Sequence, residues 1–285
     1  MDEWNFDAIG TRWQIDTRTT LDDAIRSEIL RCVEDFDRTW SRFRADSVVS
    51  DIARTPGVRT VVGAESLMDF YDELFDATDG AVNPLIGQTL SDLGYDADYS
   101  LRAVPDPAPV QAWSSVVHEG PRIATTAPAL IDVGAAGKGR LVDLIAGLLW
   151  QAGAHEATLD ASGDIYHRGT TPIRVALEHP RDRTRALGVV HLDSEHALCG
   201  SASNRRAWGD GLHHVLDGRT GRPTSDIVAT WVLVPQSCMI ADGLATAHYF
   251  AEPDRLLERW DHQFVRMHAD GRVVWSPDLP GEVFA

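Results

Sequence analysis

Residues 129–149 read Ala129-Leu130-Ile131-Asp132-Val133-Gly134-Ala135-Ala136-Gly137-Lys138-Gly139-Arg140-Leu141-Val142-Asp143-Leu144-Ile145-Ala146-Gly147-Leu148-Leu149. The apolar run Ala129–Val133 predicts a strand. Glycines then break the chain, and Leu141, Leu144, Ile145, Leu148 and Leu149 recur at the spacing of one helix face. A strand, a glycine-rich turn and a helix in succession make this a mixed α and β chain, and pattern alone goes no further. The turn has a chemistry of its own. Small residues let backbone N–H groups face a phosphate, and the helix N-terminus adds partial positive charge. Neither the GxxxxGK[ST] spacing nor the GxGxxG fingerprint is present, and tight packing alone would also account for such a turn. Lys138, however, is the only lysine among 26 basic residues, and it stands between two glycines. An arginine bias this strong singles out the one position that keeps an ammonium.

Towards the N-terminus, Phe6 to Asp16 reads as a first strand interrupted at Ile9-Gly10-Thr11. From Leu21, the residues Ile25, Ile29, Cys32, Val33, Phe36 and Trp40 predict a helix, with Thr20 and Asp23 as a capping-box-like start. A polar turn, Ser41 to Ser47, follows. A second helix is predicted over 64–78 with Gly80 as its left-handed cap. The Pro- and Asp-rich stretch 96–109 reads as a surface connection. Beyond the central helix, strands are expected near 156–160, 173–178, 187–192 and 227–234, then a helix over 239–250, a helical turn at Leu256 and a terminal hairpin turned by Asp270-Gly271.

The chain has 285 residues, with 26 Lys plus Arg against 43 Asp plus Glu, for a formal net charge of −17. Binding to nucleic acid through a basic face is excluded on this balance. At 44% hydrophobic and 24% charged, the composition is that of a globular protein, read as a single domain over residues 1–285. Cys32, Cys199 and Cys238 are far apart, in no zinc-knuckle or disulfide spacing. No apolar run reaches membrane-spanning length, and the acidic N-terminus is unlike a secretory signal, so the expected location is cytoplasmic.

Two further stretches carry candidate chemistry. In His213-His214-Val215-Leu216-Asp217-Gly218-Arg219-Thr220-Gly221-Arg222-Pro223, adjacent histidines on a strand point to opposite faces, leaving His214 and Asp217 as the better pair. In Ala241-Asp242-Gly243-Leu244-Ala245-Thr246-Ala247, Asp242 and Thr246 are four apart on a helix and offer a carboxylate and a hydroxyl to one hard cation such as Mg²⁺. Each stretch alone also fits a surface loop or a helix cap.

In order and combination these segments resemble the ApbE family of FAD:protein FMN transferases, over nearly the whole chain. Ala8-Ile9-Gly10-Thr11 is similar to the family's MGT stretch, and Ser41 to Ser47 to its polar turn carrying an aromatic residue, here Phe43. Thr78-Asp79-Gly80-Ala81-Val82-Asn83-Pro84-Leu85-Ile86-Gly87 resembles TGGAFDPTVG, and Asp132 to Gly139 resembles DLGGIAKG. Leu159 to Ile165 resembles VNIGGDI, His214 to Pro223 resembles HIIDPRTGRP, and Ala241 to Ala247 resembles ADALATA.

The resemblance implies an α+β, T-fold-related architecture of mixed, mostly antiparallel sheets packed by helices, with FAD in a central cleft. It implies Mg²⁺-dependent transfer of FMN from FAD to a threonine of an acceptor flavoprotein bearing a DGxTSAT-like motif, with release of AMP. Asp242 and Thr246 would bind the metal with the main-chain carbonyl of Ala135. Ile9, Phe43, Ala81, Val82, Asn83, Asp132, Lys138 and His214 would line the FAD site. Lys138, Asp242 and His214 are the expected catalytic groups, with His214 as general base. Asn83, Ile9, Gly137 and Gly218 depart from the family's Asp, Met, Ala and Pro. Ala197 to Arg206 follows TSGxYxR loosely, and Trp208 beside it is a candidate for stacking on adenine. Water as acceptor would make the same site an FAD pyrophosphatase, and loss of turnover would leave a flavin-binding protein. A Zn²⁺ hydrolase built on His213, His214 and Asp217 is the most distant alternative.

Overall fold

The computed structural model describes residues 2–284. Strands β1 (Asp2–Ala8) and β2 (Thr11–Thr17) are followed by helices α1 (Asp23–Trp40) and α2 (Val48–Arg54), strand β3 (Gly57–Thr60), helix α3 (Glu65–Ala77) and the short α4 (Gly87–Asp92). After β4 (Val116–Glu119) and β5 (Arg122–Thr125) come α5 (Gly137–Gln151) and strands β6 (Ala157–Asp160), β7 (Asp164–Glu178) and β8 (Ala186–Ala202). Four two-residue strands follow: β9 (Ala207–Trp208), β10 (Leu212–His213), β11 (Leu216–Asp217) and β12 (Arg222–Pro223). The chain closes with β13 (Ile227–Pro235), α6 (Cys238–Ala247), α7 (Pro253–Leu257), β14 (Gln263–His268), β15 (Val273–Trp275) and β16 (Gly281–Val283). The fold is α+β with mostly antiparallel sheets, as expected.

Two compact units emerge. One comprises the described residues up to Val33, Lys138–Asn204 and those from Ser225 onward; the other comprises Glu34–Gly137 and Arg205–Thr224. We refer to them as unit 1 and unit 2. Among the described residues no helix is long and apolar enough to cross a membrane.

Unit 1 is organised by a nine-stranded sheet in the order β1-β2-β6-β7-β8-β13-β14-β15, with β16 added on β8. Its core includes Leu177, Val190, Leu192, Leu198, Leu233 and Val265, whose strand positions give the sheet a buried face. Helix α6 packs on β8 and β13. The expected first strand is a hairpin, because Ile9 (φ +44°) and Gly10 (φ +74°) take left-handed turn conformations and reverse the chain. The stretch Ala197 to Arg206, which follows the family segment loosely, is mostly strand. Up to Ala202 it is the interior of β8, with Gly200 opposite Trp231, so close that a Cβ there would lie 2.9 Å from the indole. The cap of α1 is Asp22, whose carboxylate accepts from the Ala24 and Ile25 N–H groups at 3.0 Å, in place of the Thr20 and Asp23 box.

Unit 2 holds the small sheet β3-β5-β4 and helix α3, whose Leu67, Phe70, Tyr71 and Leu74 are buried as its periodicity predicts, while Phe75 of the same predicted face is half-buried and Met68 is buried beside them. Gly80, at φ +82°, terminates that helix as expected. The predicted strand Ala129–Val133 belongs to no sheet among the described residues. It is extended chain, held by the Asp132 N–H on the Pro84 carbonyl at 2.7 Å, and its Ala129, Ile131 and Val133 are buried. A short buried apolar run looks the same to a periodicity count with or without a ladder.

Candidate active site

In unit 1 the site is built where α5 begins. Lys138 lies in its first turn, and its ammonium is 2.6 Å from a carboxylate oxygen of Asp164, the first residue of β7, and 3.2 Å from the Ala161 carbonyl. Asp164 is fully buried, while the Lys138 side chain keeps 24% of its surface. From α6, the buried Asp242 places Oδ2 2.9 Å from the Gly139 N–H, one of the donors that the first turn of α5 cannot satisfy internally. Thr246 follows one turn later on the same helix and is half-buried.

The electrostatics follow from one cation facing two buried acids. Burial works against the Lys138 ammonium, but Asp164 and Asp242 outweigh it and hold its pKa above the ordinary value. Burial raises both carboxylates, and for Asp242 the charge of Asp164 adds to that rise. One ammonium balances one carboxylate in this poorly solvated place, and the second is pushed towards its neutral form unless a further cation joins the group. The available donors, a carboxylate and a hydroxyl, are those a hard, oxygen-seeking cation such as Mg²⁺ takes, so the residues present fit that ion.

In unit 2 a network of side chains and main-chain carbonyls runs from Asp132 to His214. Asp132 accepts from Arg42 Nε at 2.5 Å and from the Gly134 N–H at 2.6 Å, which bends the turn ahead of α5. Arg42 is buried, also donates to the Tyr95 carbonyl (2.6 Å) and Ser91 Oγ (3.2 Å), and lies 4.2 Å over the ring of Phe43. Arg206 donates to the Tyr95 hydroxyl, and its own carbonyl faces His214 Nδ1 at 3.4 Å. A carbonyl can only accept, so the proton of the neutral His214 ring sits on Nδ1 and Nε2 carries the lone pair. Burial, then the Arg206 charge, push the His214 pKa down to about 4.

Ala81 and Val82 are buried, and their N–H groups are taken by Thr78, at its carbonyl (3.1 Å) and its hydroxyl (2.9 Å). Asn83 accepts from the Leu85 N–H and donates to the Gln111 carbonyl, each at 2.9 Å, a donation that an aspartate could not make. Gly218 donates its N–H to the Ala81 carbonyl at 2.8 Å, and a Cβ on it would stand 2.7 Å from Asn83 Cβ. These two departures from the family pattern therefore meet in space. At Gly137 a Cβ would come within 2.7 Å of the Val133 side chain. Ala135 donates its N–H to the Tyr71 hydroxyl at 3.2 Å, and Ile9 lies in the β1–β2 turn of unit 1.

Two expected pairings are absent. Asp217 is engaged by Arg219 at 2.7 Å, so it does not serve His214, and His213 Nε2 is on the Thr224 carbonyl at 2.8 Å. Trp208 is buried, stacked on Tyr95 with its indole N–H on the Leu93 carbonyl at 2.9 Å; it is core and presents no face for adenine. Sequence reasoning passed over Arg42, Tyr95, Arg206 and Asp164. A lone lysine in a glycine-rich turn signals the need for a counter-charge, and the 2.6 Å contact identifies Asp164 as the residue that meets it.

The ApbE family model matches residues 9–268. The chain belongs to the ApbE family. An ApbE relative from Vibrio cholerae serotype O1, an FAD:protein FMN transferase, is 26% identical over 239 residues, covering 78% of this chain and 72% of the relative. Among solved ApbE structures, the flavin transferase from Vibrio cholerae superposes with a TM-score of 0.80 at 23% identity, with 97% of each chain covered. The ApbE protein from Thermotoga maritima superposes with a TM-score of 0.83 at 22% identity, again over 97% of each chain. At these identities the superpositions establish the fold.

Proposed function

We propose that this chain is a Mg²⁺-dependent FAD:protein FMN transferase, moving FMN from FAD to a threonine hydroxyl of an acceptor flavoprotein and releasing AMP. The observation that carries this reading is the Lys138, Asp164 and Asp242 cluster at the start of α5, inside the span that matches the ApbE family. In unit 1, Asp242 and Thr246 would hold the metal, and Lys138, aimed by Asp164, would face the pyrophosphate oxygens as a fixed positive charge. Bound Mg²⁺ supplies positive charge against the phosphate oxygens of substrate and leaving group. Ile9, Phe43, Asp132 and the loop Ala81, Val82 and Asn83 are the further residues that would contribute to holding the cofactor. His214, neutral at pH 7, would take the threonine proton on Nε2 as the threonine oxygen bonds to the FMN phosphorus and the bond to AMP breaks.

The test is incubation with FAD and MgCl₂, with and without a DGxTSAT-type peptide, followed by LC–MS. AMP with flavinylated peptide is the expected result, and Asp242→Ala should abolish it. AMP with free FMN in the presence of peptide would favour the pyrophosphatase reading, in which water occupies the place of the threonine hydroxyl. FAD retained with no AMP formed would leave a flavin-binding protein.

A further inference from the structure

Helices α5 and α6 each lend a carboxylate to the first turn of the other. Asp242 of α6 accepts from the Gly139 N–H of α5 at 2.9 Å. In return, Asp143 of α5 accepts from the Cys238 N–H at 2.7 Å, the Met239 N–H at 3.1 Å and the Ser237 hydroxyl at 2.9 Å, all at the start of α6. Ser237 Oγ accepts in turn from the Ile240 N–H at 3.3 Å, so three consecutive amides of α6 are held directly or through one hydroxyl. A carboxylate at a helix N-terminus satisfies orphan donors and complements the helix dipole, and here both helices gain this from one crossing. The crossing is tight because Gly139 has no side chain; a Cβ there would stand 2.1 Å from the Cys238 carbonyl oxygen and 2.8 Å from Asp242 Cβ. The position of Asp242 relative to Lys138 is thus fixed by an exchange of caps, of which Asp143 supplies the larger half.

We propose that Asp143 is a positioning residue for Asp242. It touches neither substrate nor metal; it cages the first turn of α6 and so sets where Asp242 and Thr246 stand. The functional part of this inference rests on the proposed role of Asp242 toward the metal. The geometric part does not.

The test uses the full chain and the variants Asp143→Asn and Asp242→Asn, with two readouts: hydrogen exchange at the Gly139, Cys238 and Met239 amides, and the Mg²⁺ concentration giving half-maximal FAD turnover. Asparagine keeps one acceptor oxygen and loses the other. The expected result for Asp143→Asn is faster exchange at Gly139 as well as at Cys238 and Met239. The half-saturating Mg²⁺ should rise about tenfold, with the FAD KM at saturating Mg²⁺ unchanged. Loosening confined to Cys238 and Met239, with Gly139 exchange and Mg²⁺ dependence unaltered, overturns the proposal. If Asp242→Asn itself leaves the Mg²⁺ dependence unaltered, the metal reading of Asp242 fails, and exchange at Gly139 alone decides whether Asp143 positions it. Should Asp143→Asn not fold, Ser237→Ala removes one leg of the cage, and the same two readouts must move in the same direction by a smaller factor.

Discussion

Replacing Gly139 by alanine tests the geometry of the α5–α6 crossing most directly. The new Cβ would meet the Cys238 carbonyl oxygen at 2.1 Å and its carbon at 2.5 Å, both backbone atoms that cannot rotate aside. A carbon and a carbonyl oxygen come to rest at about 3.3 Å, so the helices must part by about 1.2 Å. The Gly139 N–H, now 2.9 Å from Asp242, would then lie near 4 Å, past hydrogen-bonding range. Overpacking of this kind costs about 1–3 kcal/mol, and the orphaned amide about 1–3 more. The better helix propensity of alanine returns about 1 kcal/mol. A net loss of about 3 kcal/mol corresponds to a fall in Tm of about 5 °C by scanning calorimetry. The control sits on the same helix: a Cβ on Gly147 meets nothing within 4 Å. Gly147→Ala should therefore gain up to about 1 kcal/mol and raise Tm by about 2 °C. If the two variants melt together, the tight crossing is wrong.

The remaining expectations concern the two charged networks and the histidine. Lys138→Met strands the fully buried Asp164 carboxylate without its 2.6 Å partner and should destabilise the protein by about 3–5 kcal/mol in urea unfolding. Lys138→Met with Asp164→Leu should recover the stability and not the turnover. Arg42→Lys keeps the charge but cannot reach Asp132, Ser91 and Tyr95 together, so a loss of about 3 kcal/mol is expected, and a variant as stable as the parent would refute the buried fork. His214, at about 4 in the folded chain against 6.5 unperturbed, refuses a proton that the unfolded chain accepts between those pH values. Stability should therefore fall as pH drops from about 6.5 towards 4, and the acid limb of turnover should lie near 4. Ring NMR titration near 6.5 would contradict this, whereas Arg206→Met should move the titration upward.

The sequence made helices α1, α3 and α5 legible because each has one apolar stripe at a period of 3.6, and the β14–β15 hairpin legible because Asp270-Gly271 punctuates it. The failures have physical causes too. Ile9 is β-branched and belongs in a strand by propensity, yet it sits at φ +44° in a turn, a conformation that local sequence argues against and that tertiary context imposes. Ala129–Val133 is apolar because it is buried, which is a property of its packing and says nothing of a ladder. Trp208 drew attention as an unassigned aromatic beside two arginines, but an indole whose N–H has found the Leu93 carbonyl is spent as core.

Within the site, motif resemblance pointed to residues one at a time, and what it left out is how they are held. Lys138 was legible as an isolated lysine; its counter-charge, Asp164, is 26 residues away on a strand and is identified only by the 2.6 Å contact. Asp132 was legible within the glycine-rich motif, yet both of its oxygens are occupied, by Arg42 and by the Gly134 amide. Its carboxylate therefore shapes the turn and fixes the guanidinium over Phe43, and any part it takes in holding a cofactor must pass through those two groups. The same logic separates Asp143 from Asp242, two aspartates at the start of two helices. Asp143 commits both oxygens to three donors at the start of α6, whereas Asp242 spends one described hydrogen bond on Gly139 and lies one helical turn from a threonine hydroxyl. On the proposed reading, the carboxylate with more acceptor capacity left is the one that would hold the metal, and the one committed to three donors is the one that positions it.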